Sequence, residues 1–464
     1  MDIKQLQAGL ESKFAKSRIV FWHDPDQAFL ETLPSLALDD VTLVNMGEAS
    51  HFETKVQLEL TSPESRFLLY YPSDVPPMEV DWLLDVREYS QTFYADRSSM
   101  VLNELGLTQM ALRGYIQSRL DFFNNKQRFR QFKRSLVENE TPESMDRKMM
   151  AVVLKSETSN ANDLIMAAIR ALDLSRLEAS EAEFFDRLAK YDLLPSFWEM
   201  LAQAYGYQPD SPGLVDFVLK LFCTELWAQT ENTQRDWLQA NVLPGAAHKS
   251  SALALMKYWR QYTLYRDSYY GWAERFEKEL NLAKQYKPDQ VEALVEAETF
   301  EAMEKTIIRG LVVALMSIQP SERGSLNKRW FEQIIAEREM KFWVSVHEGY
   351  ASVYRALRQA VKLMQLREQY DTGFAFDSAS ALFRGYSQTL FAFDQTYRLF
   401  NEQADALFSQ GAEILRQLDQ RIETLYTEWY LPKLAMAWDG CLQREQRITH
   451  WSLDAVPFQG NFYQ

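Results

Sequence analysis

Only three stretches of this 464-residue chain read as β-strands, and all of them fall before residue 72. Ile19-Val20-Phe21-Trp22, Val41-Thr42-Leu43-Val44 and Phe67-Leu68-Leu69-Tyr70-Tyr71 are continuous apolar runs, the pattern of strands covered on both faces. Helical signals separate them. After the first run, Asp24 is placed to cap a helix that opens on Pro25 and carries Phe29, Leu30 and Leu33 at helical spacing. After the second, Ser50 and Glu53 form a capping-box pattern, with Phe52, Val56 and Leu60 on one face. Strand, helix, strand, helix, strand predicts right-handed crossovers and a small parallel, Rossmann-like sheet. Met78, Trp82, Val86 and Tyr89 predict a further covering helix, so we place this α/β domain at residues 1–95.

From about residue 98 no strand pattern recurs. Apolar residues return every three or four positions, and only 16 glycines and 15 prolines interrupt them, so residues 96–440 are predicted to be a long helical domain. The fold class is therefore mainly α with an N-terminal α/β part. The longest helical stretches are Asn327 to Tyr370 and Ser378 to Tyr430, the latter interrupted at Gly385 and disturbed after its end by Pro432. Phe400, Ala404, Leu407, Gly411, Ile414, Leu418, Ile422, Leu425 and Trp429 trace the seam that long antiparallel helices need. Residues 441–464 lose this periodicity and read as a linker.

Several function classes drop out. Two cysteines, Cys223 and Cys441, exclude a disulfide scaffold, a four-cysteine zinc site and an iron–sulfur cluster. No apolar run approaches the ~18 residues of a spanning helix and the amino terminus lacks a signal-peptide core, so a soluble cytoplasmic protein without membrane contact is expected. No glycine-rich loop follows any of the three strands, which removes the dinucleotide fingerprint and the P-loop. None of His23, His51, His248, His347 and His450 lies three to five residues from another, so no helix offers a histidine pair to a metal.

Two groups of residues carry possible chemistry. His23, Asp24 and Asp26 follow the first strand, at the edge where open α/β sheets hold ligands, and could position a cation or a water. The plainer reading is a helix cap and turn. On a helix from Phe122 to Leu136, Lys126, Arg130 and Arg134 form a stripe flanked by Lys133, opposite Phe122, Phe129, Phe132 and Leu136. Such a stripe, enlarged by Arg113 and Arg119, could grip phosphates. Against that, 50 Lys and Arg face 65 Asp and Glu, a net charge of −15, so the chain's own carboxylates could neutralise it. Glu292, Glu296, Glu298, Glu301 and Glu304 form an acidic helical stretch, expected to be solvated or open to a basic partner.

The succession Phe21-Trp22-His23-Asp24-Pro25, then Asp81-Trp82-Leu83-Leu84-Asp85-Val86-Arg87, then the long helical body resembles the N-terminal region of the PglZ family of bacteriophage exclusion (BREX) systems. The resemblance covers the whole chain. It implies that the linker leads to a missing C-terminal domain of the alkaline phosphatase superfamily, a metal-dependent hydrolase with a Ser or Thr nucleophile. The ligand motifs of that superfamily, Asp-x-x-x-His and Asp-His, do not occur. The residues before the five histidines are Trp22, Ser50, Ala247, Val346 and Thr449, and four positions before the last four stand Gly47, Pro244, Trp343 and Gln446. No catalytic residue and no metal or other cofactor is therefore assigned to this chain. The resemblance implies a scaffold that docks BREX components, BrxB first among them, with the oligomeric state left open. The alternatives are a DNA-contacting arm using Lys126, Arg130, Lys133 and Arg134, and a small enzyme or sensor using His23 and Asp24.

Overall fold

The computed structural model describes residues 3–94, 97–107, 109–230, 236–319, 324, 326–405 and 410–445. Leu407 and residues 446–464 of the expected linker lie outside the described residues, while 441–445 end a helix, Leu431–Glu445. The chain divides into two compact units, Met1–Ala204 and Tyr205–Gln464. It is mainly α, with one small parallel sheet near the amino terminus, and no strand occurs among the described residues after Tyr94.

The sheet has four strands, β1 (Ile19–His23), β2 (Val41–Asn45), β3 (Arg66–Tyr71) and β4 (Gln91–Tyr94), in the order β2-β3-β1-β4. Every neighbouring pair is parallel, with Phe21 opposite Leu69 and Thr92. Strand alternation sends Val20, Trp22, Leu68 and Tyr70 to one face, where the helix α1 (Ile3–Phe14) lays Leu6, Leu10 and Phe14 over them. Ile19, Phe21, Phe67, Leu69 and Tyr71 take the other face and meet Met46, Leu58, Leu83 and Val86. β1 is buried throughout and β3 from its second residue onward. β2 is an edge strand with Leu43 exposed, so its apolar run does not mark burial on both faces.

The connections differ from expectation in three places. Asp24 does not open an α-helix: its carboxylate draws in the N–H groups of Ala28 and Phe29 around a turn with Gln27 at φ +52°, and a short 3-10 helix, Leu30–Ser35, follows. Pro34 inside it has no N–H with which to extend a helical ladder. Ser50 does cap α2 (His51–Val56), accepting from Glu53 N at 3.4 Å, but the helix widens into a π-turn over Gln57–Thr61. Its buried face is then Thr54 and Leu58, which leaves Phe52 and Leu60 64% and 76% exposed. The third covering helix shrinks to α3 (Leu84–Glu88), anchored by Leu83 and Val86, with Met78, Trp82 and Tyr89 exposed, and the chain turns directly into the unexpected β4.

The second unit is held by charges as much as by apolar contacts. Arg338 and Glu304 are both fully buried and form a forked ion pair, to which the Tyr354 hydroxyl adds a hydrogen bond. The same guanidinium donates to Val295 O at 2.8 Å and Ala297 O at 2.9 Å. Arg260 pairs with Glu225 at 2.5 Å and Glu298 at 3.1 Å, beside the buried Tyr269. The acidic stretch finds partners within its own unit: the exposed Glu296 pairs with Lys341, Glu301 takes the Tyr350 hydroxyl and the exposed Glu292 takes the Trp330 indole N–H, while Glu304 alone is buried.

The stretch expected as one helix from Asn327 to Tyr370 is three helices, Lys328–Glu339, Phe342–Val346 and Glu348–Gln369. The first break is made by a distant residue, since Phe342 N donates to the Glu298 carboxylate. In the second stretch, helix Ala379–Gly385 passes through a π-turn, Tyr386–Leu390, into Phe391–Asp405. Another π-turn, Leu425–Tyr430, precedes Pro432, whose ring and missing N–H forbid a regular turn there. Phe400, Leu418 and Ile422 of the expected seam are buried, and Tyr426 and Tyr430 donate to Asp394 across it. Gly310 lies where helix Glu301–Ser317 crosses the Pro288–Val291 turn, and a β-carbon there would overlap Pro288 O and Val291. Gly310→Ala is expected to lose about 1–3 kcal/mol from overpacking, despite a helix-propensity gain of about 1 kcal/mol. A urea midpoint that falls at unchanged m-value supports this close approach; a midpoint that rises refutes it.

Candidate functional site

The carboxyl ends of β1, β3 and β4 bring three rings into a row. His23 lies between Tyr71 and Tyr94, its ring centroid 4.9 Å from one and 5.8 Å from the other. Arg87 of α3 reaches this edge, with Nη1 2.8 Å from His23 Nε2 and Nε 2.9 Å from the buried Asp81 carboxylate. A guanidinium only donates, so Nε2 accepts, the imidazole proton sits on Nδ1, and Nδ1 donates to Ser73 O at 3.3 Å. The Arg87 guanidinium also lies 4.2 Å over the Phe21 ring. Asp24 is fully buried: one oxygen accepts from the Tyr70 hydroxyl at 2.8 Å and from Phe29 N, the other from Ala28 N. Asp26 is exposed and takes the Gln117 amide at 2.9 Å, away from the other two. The edge therefore joins His23 to Arg87 and Asp81, a triad the sequence did not nominate, and both ring nitrogens of His23 are engaged inside the protein. Among the described residues no group of three or more His, Cys, Asp or Glu is placed to hold a metal ion.

The basic helix is real but shorter than expected, Lys126–Ser135, with Asn125 capping Gln127 N and Arg128 N. Phe132 is buried, and its ring packs against Phe122 and Phe123 of the preceding turn. Lys126, Arg130, Lys133 and Arg134 are all exposed. Lys133 donates to the Glu104 backbone carbonyl. Arg113 and Arg119 do not enlarge the stripe: Arg113 pairs with Asp74 at 3.1 Å, and Arg119 pairs with Asp146 at 3.2 Å and Asp192 at 3.3 Å. Arg128, absent from the expected stripe, folds back to donate to Phe122 O and Asp121 O, with its guanidinium 5.0 Å over the Tyr191 ring. A cleft lies on each side of this helix. One, of about 260 Å³, is lined by Arg97, Lys126 and Arg130; the other, of about 520 Å³, by Arg128, Lys155 and Arg187. Arg97, Lys155 and Arg187 come from separate helix ends, so spacing along the sequence could not have shown them.

Comparison with known proteins places these features in context. Over its whole length the chain is 41% identical to the alkaline phosphatase-like protein BrxZ of Escherichia coli O9:H4 (strain HS), covering 53% of that protein. It is 26% identical to the alkaline phosphatase-like protein PglZ of Bacillus cereus (strain H3081.97), again over 53% of it. Along its whole length the chain is similar to PglZ-like proteins. It spans about half the length of the curated relatives it matches. No family model and no solved structure matches the chain.

Burial, and secondly the Arg87 charge, push the His23 imidazole down to about 4 from 6.5. An unfolded chain takes up this proton near pH 6.5 and the folded one only near 4, so between them the unfolded state holds more protons. Stability from this group is full above pH 6.5 and falls as the pH drops through the window, by at most about 3 kcal/mol. Urea unfolding free energies of wild type and His23→Gln, measured from pH 7 to 4, are expected to converge as the pH falls. Parallel curves would show that His23 titrates normally.

Proposed function

We propose that this chain is the non-catalytic N-terminal scaffold region of a PglZ-like protein of BREX phage defence. It docks partner proteins such as BrxB and tethers an alkaline phosphatase-like, metal-dependent hydrolase domain. The observation that carries the reading is the pairing of the whole chain with only 53% of two relatives, both named alkaline phosphatase-like. The reactive part of such a protein then belongs in the remaining length, and no residue here is assigned to catalysis or to a cofactor. A cytoplasmic setting goes with this reading. No helix among the described residues is long and apolar enough to cross a membrane.

The α/β part offers a surface suited to docking. Phe52 and Leu60 on and after α2, and Trp82 and Tyr89 flanking α3, all stand exposed, Trp82 at 63%. The Lys55–Asp85 ion pair, 2.6 Å, joins the two segments. Stable interfaces form around aromatic anchors that lose water on contact, and an apolar group of this kind is costly to leave wet. BrxB is expected to seat there.

Light scattering during size exclusion tests this with the chain alone and mixed with purified BrxB. A heteromeric peak is expected with wild type, and its loss is expected with Phe52→Ser/Trp82→Ser, both exposed positions whose replacement leaves the melting temperature within a few degrees. If neither BrxB nor any other BREX component shifts the wild-type mass, the scaffold reading fails. If the double variant still binds, docking uses another face.

A further inference from the structure

We propose that the surface carrying the helix Lys126–Ser135 holds a nucleic-acid backbone, independently of its base sequence. This inference rests on the cations of the first unit and not on the docking reading above.

The first support is that the stripe is left unpaired in a chain with 65 carboxylates. Arg113, Arg119, Lys148 and Arg176 of the same unit each have an ion-pair partner within 4 Å. Among the described residues Lys126, Arg130 and Arg134 have none, and neither does Lys155, while Arg187 lies within electrostatic reach of Glu183 without a close ion pair. Solvated lysines and arginines on a strongly acidic protein gain Coulomb energy whenever a carboxylate comes within reach, so a run of open ones is a local positive field.

The second support is their placement. Lys126, Arg130 and Arg134 recur every four residues, about 6 Å apart along the axis, a spacing comparable to successive phosphates on one strand. The two flanking clefts then set Arg97 beside Lys126 and Arg130 on one side, and Arg128, Lys155 and Arg187 together on the other. Among the described residues, Glu104 is the single carboxylate lining either cleft. Arg128 is held by two backbone carbonyls and the Tyr191 ring, so its charge is fixed in place before any ligand arrives.

The third support is what the face lacks. Every exposed residue from 126 to 134 is Lys, Arg or Gln. Protein interfaces gather aromatic anchors and are poor in Lys, whereas phosphate and sugar contacts are made by these side chains. An acidic protein segment is therefore the weaker occupant, and the experiment below separates it.

The test is fluorescence anisotropy of the whole chain with a labelled mixed-sequence duplex of about 20 base pairs, and with the matching single strand, from 50 to 200 mM salt. If the cleft and stripe cations Arg97, Lys126, Arg128, Arg130, Arg134, Lys155 and Arg187 all meet phosphates, log affinity should fall against log salt with a slope of about −6 for duplex. Lys126→Gln/Arg130→Gln/Arg134→Gln should flatten that slope by ~2–3 and weaken binding at least tenfold at 100 mM salt. All three side chains are exposed, so circular dichroism and melting should be unchanged. Lys278→Gln/Lys328→Gln/Arg398→Gln, which removes the same net charge from the second unit, should bind as wild type does. Salt-independent binding, no binding to either nucleic acid, or an equal loss in that control would overturn the proposal. Polyglutamate that competes as well as nucleic acid of equal charge would also overturn it, in favour of an acidic protein partner.

Discussion

A single guanidinium organises the larger part of the second unit. Arg338 is fully buried, and its donors reach Glu304 and the carbonyls of Val295 and Ala297, so three helices and the loop before one of them meet at one group. Moving such a charge out of water is expensive, and only a paired and hydrogen-bonded geometry offsets the penalty. The Glu304 carboxylate, the Tyr354 hydroxyl and two backbone oxygens supply that geometry together. Loss of the Glu304 carboxylate would leave an uncompensated charge in the interior, a defect on the order of 3–5 kcal/mol. Leucines at the same positions could fill the volume, but they would not fix the register of Lys328–Glu339 against Glu301–Ser317.

The same economy explains why net charge is a poor guide to local charge. Many acidic residues of the second unit are already spent: Glu225 and Glu298 on Arg260, Glu296 on Lys341, Glu304 on Arg338. A carboxylate engaged inside its own unit cannot also shield a lysine elsewhere, because an ion pair acts over a few ångströms and salt screens the rest within about 10 Å. A sum of −15 therefore coexists with cations at Lys126, Arg130 and Arg134 that have no ion-pair partner among the described residues. The composition argues against a uniformly basic surface, and it says nothing about a patch.

How much of this was legible follows from range. The strands β1, β2 and β3 were visible because a continuous apolar run is a local signal, and the sheet followed from the helical signals between them. β4 was not visible: it is four half-covered residues that become a strand only by pairing with β1. Asp24 was legible as a cap, but the extent of what it caps depended on Pro34 and on the Tyr70 hydroxyl 46 positions away. The break at Phe342 carries no proline or glycine. It is made by Glu298, which reaches across the unit to cap a helix that its own sequence would have continued. Arg338 and Glu304 sit at positions that read as the solvated side of amphipathic helices, and only the third dimension turns them inward.

Function is best sought where valence is left over. At the sheet edge the groups that looked reactive are engaged inside the protein: His23 by Arg87 and Ser73, Asp24 by three donors, and the exposed Asp26 by the Gln117 amide. Both ring nitrogens of His23 are taken, and the bonds from Arg87 to His23 and Asp81 lock α3 against the sheet. What remains open is of a different kind: wet aromatic side chains at Phe52 and Trp82, and unpaired cations along Lys126–Arg134. Wet aromatic rings offer dispersion contacts and open cations offer charge contacts, so the two places suit occupants of different chemistry.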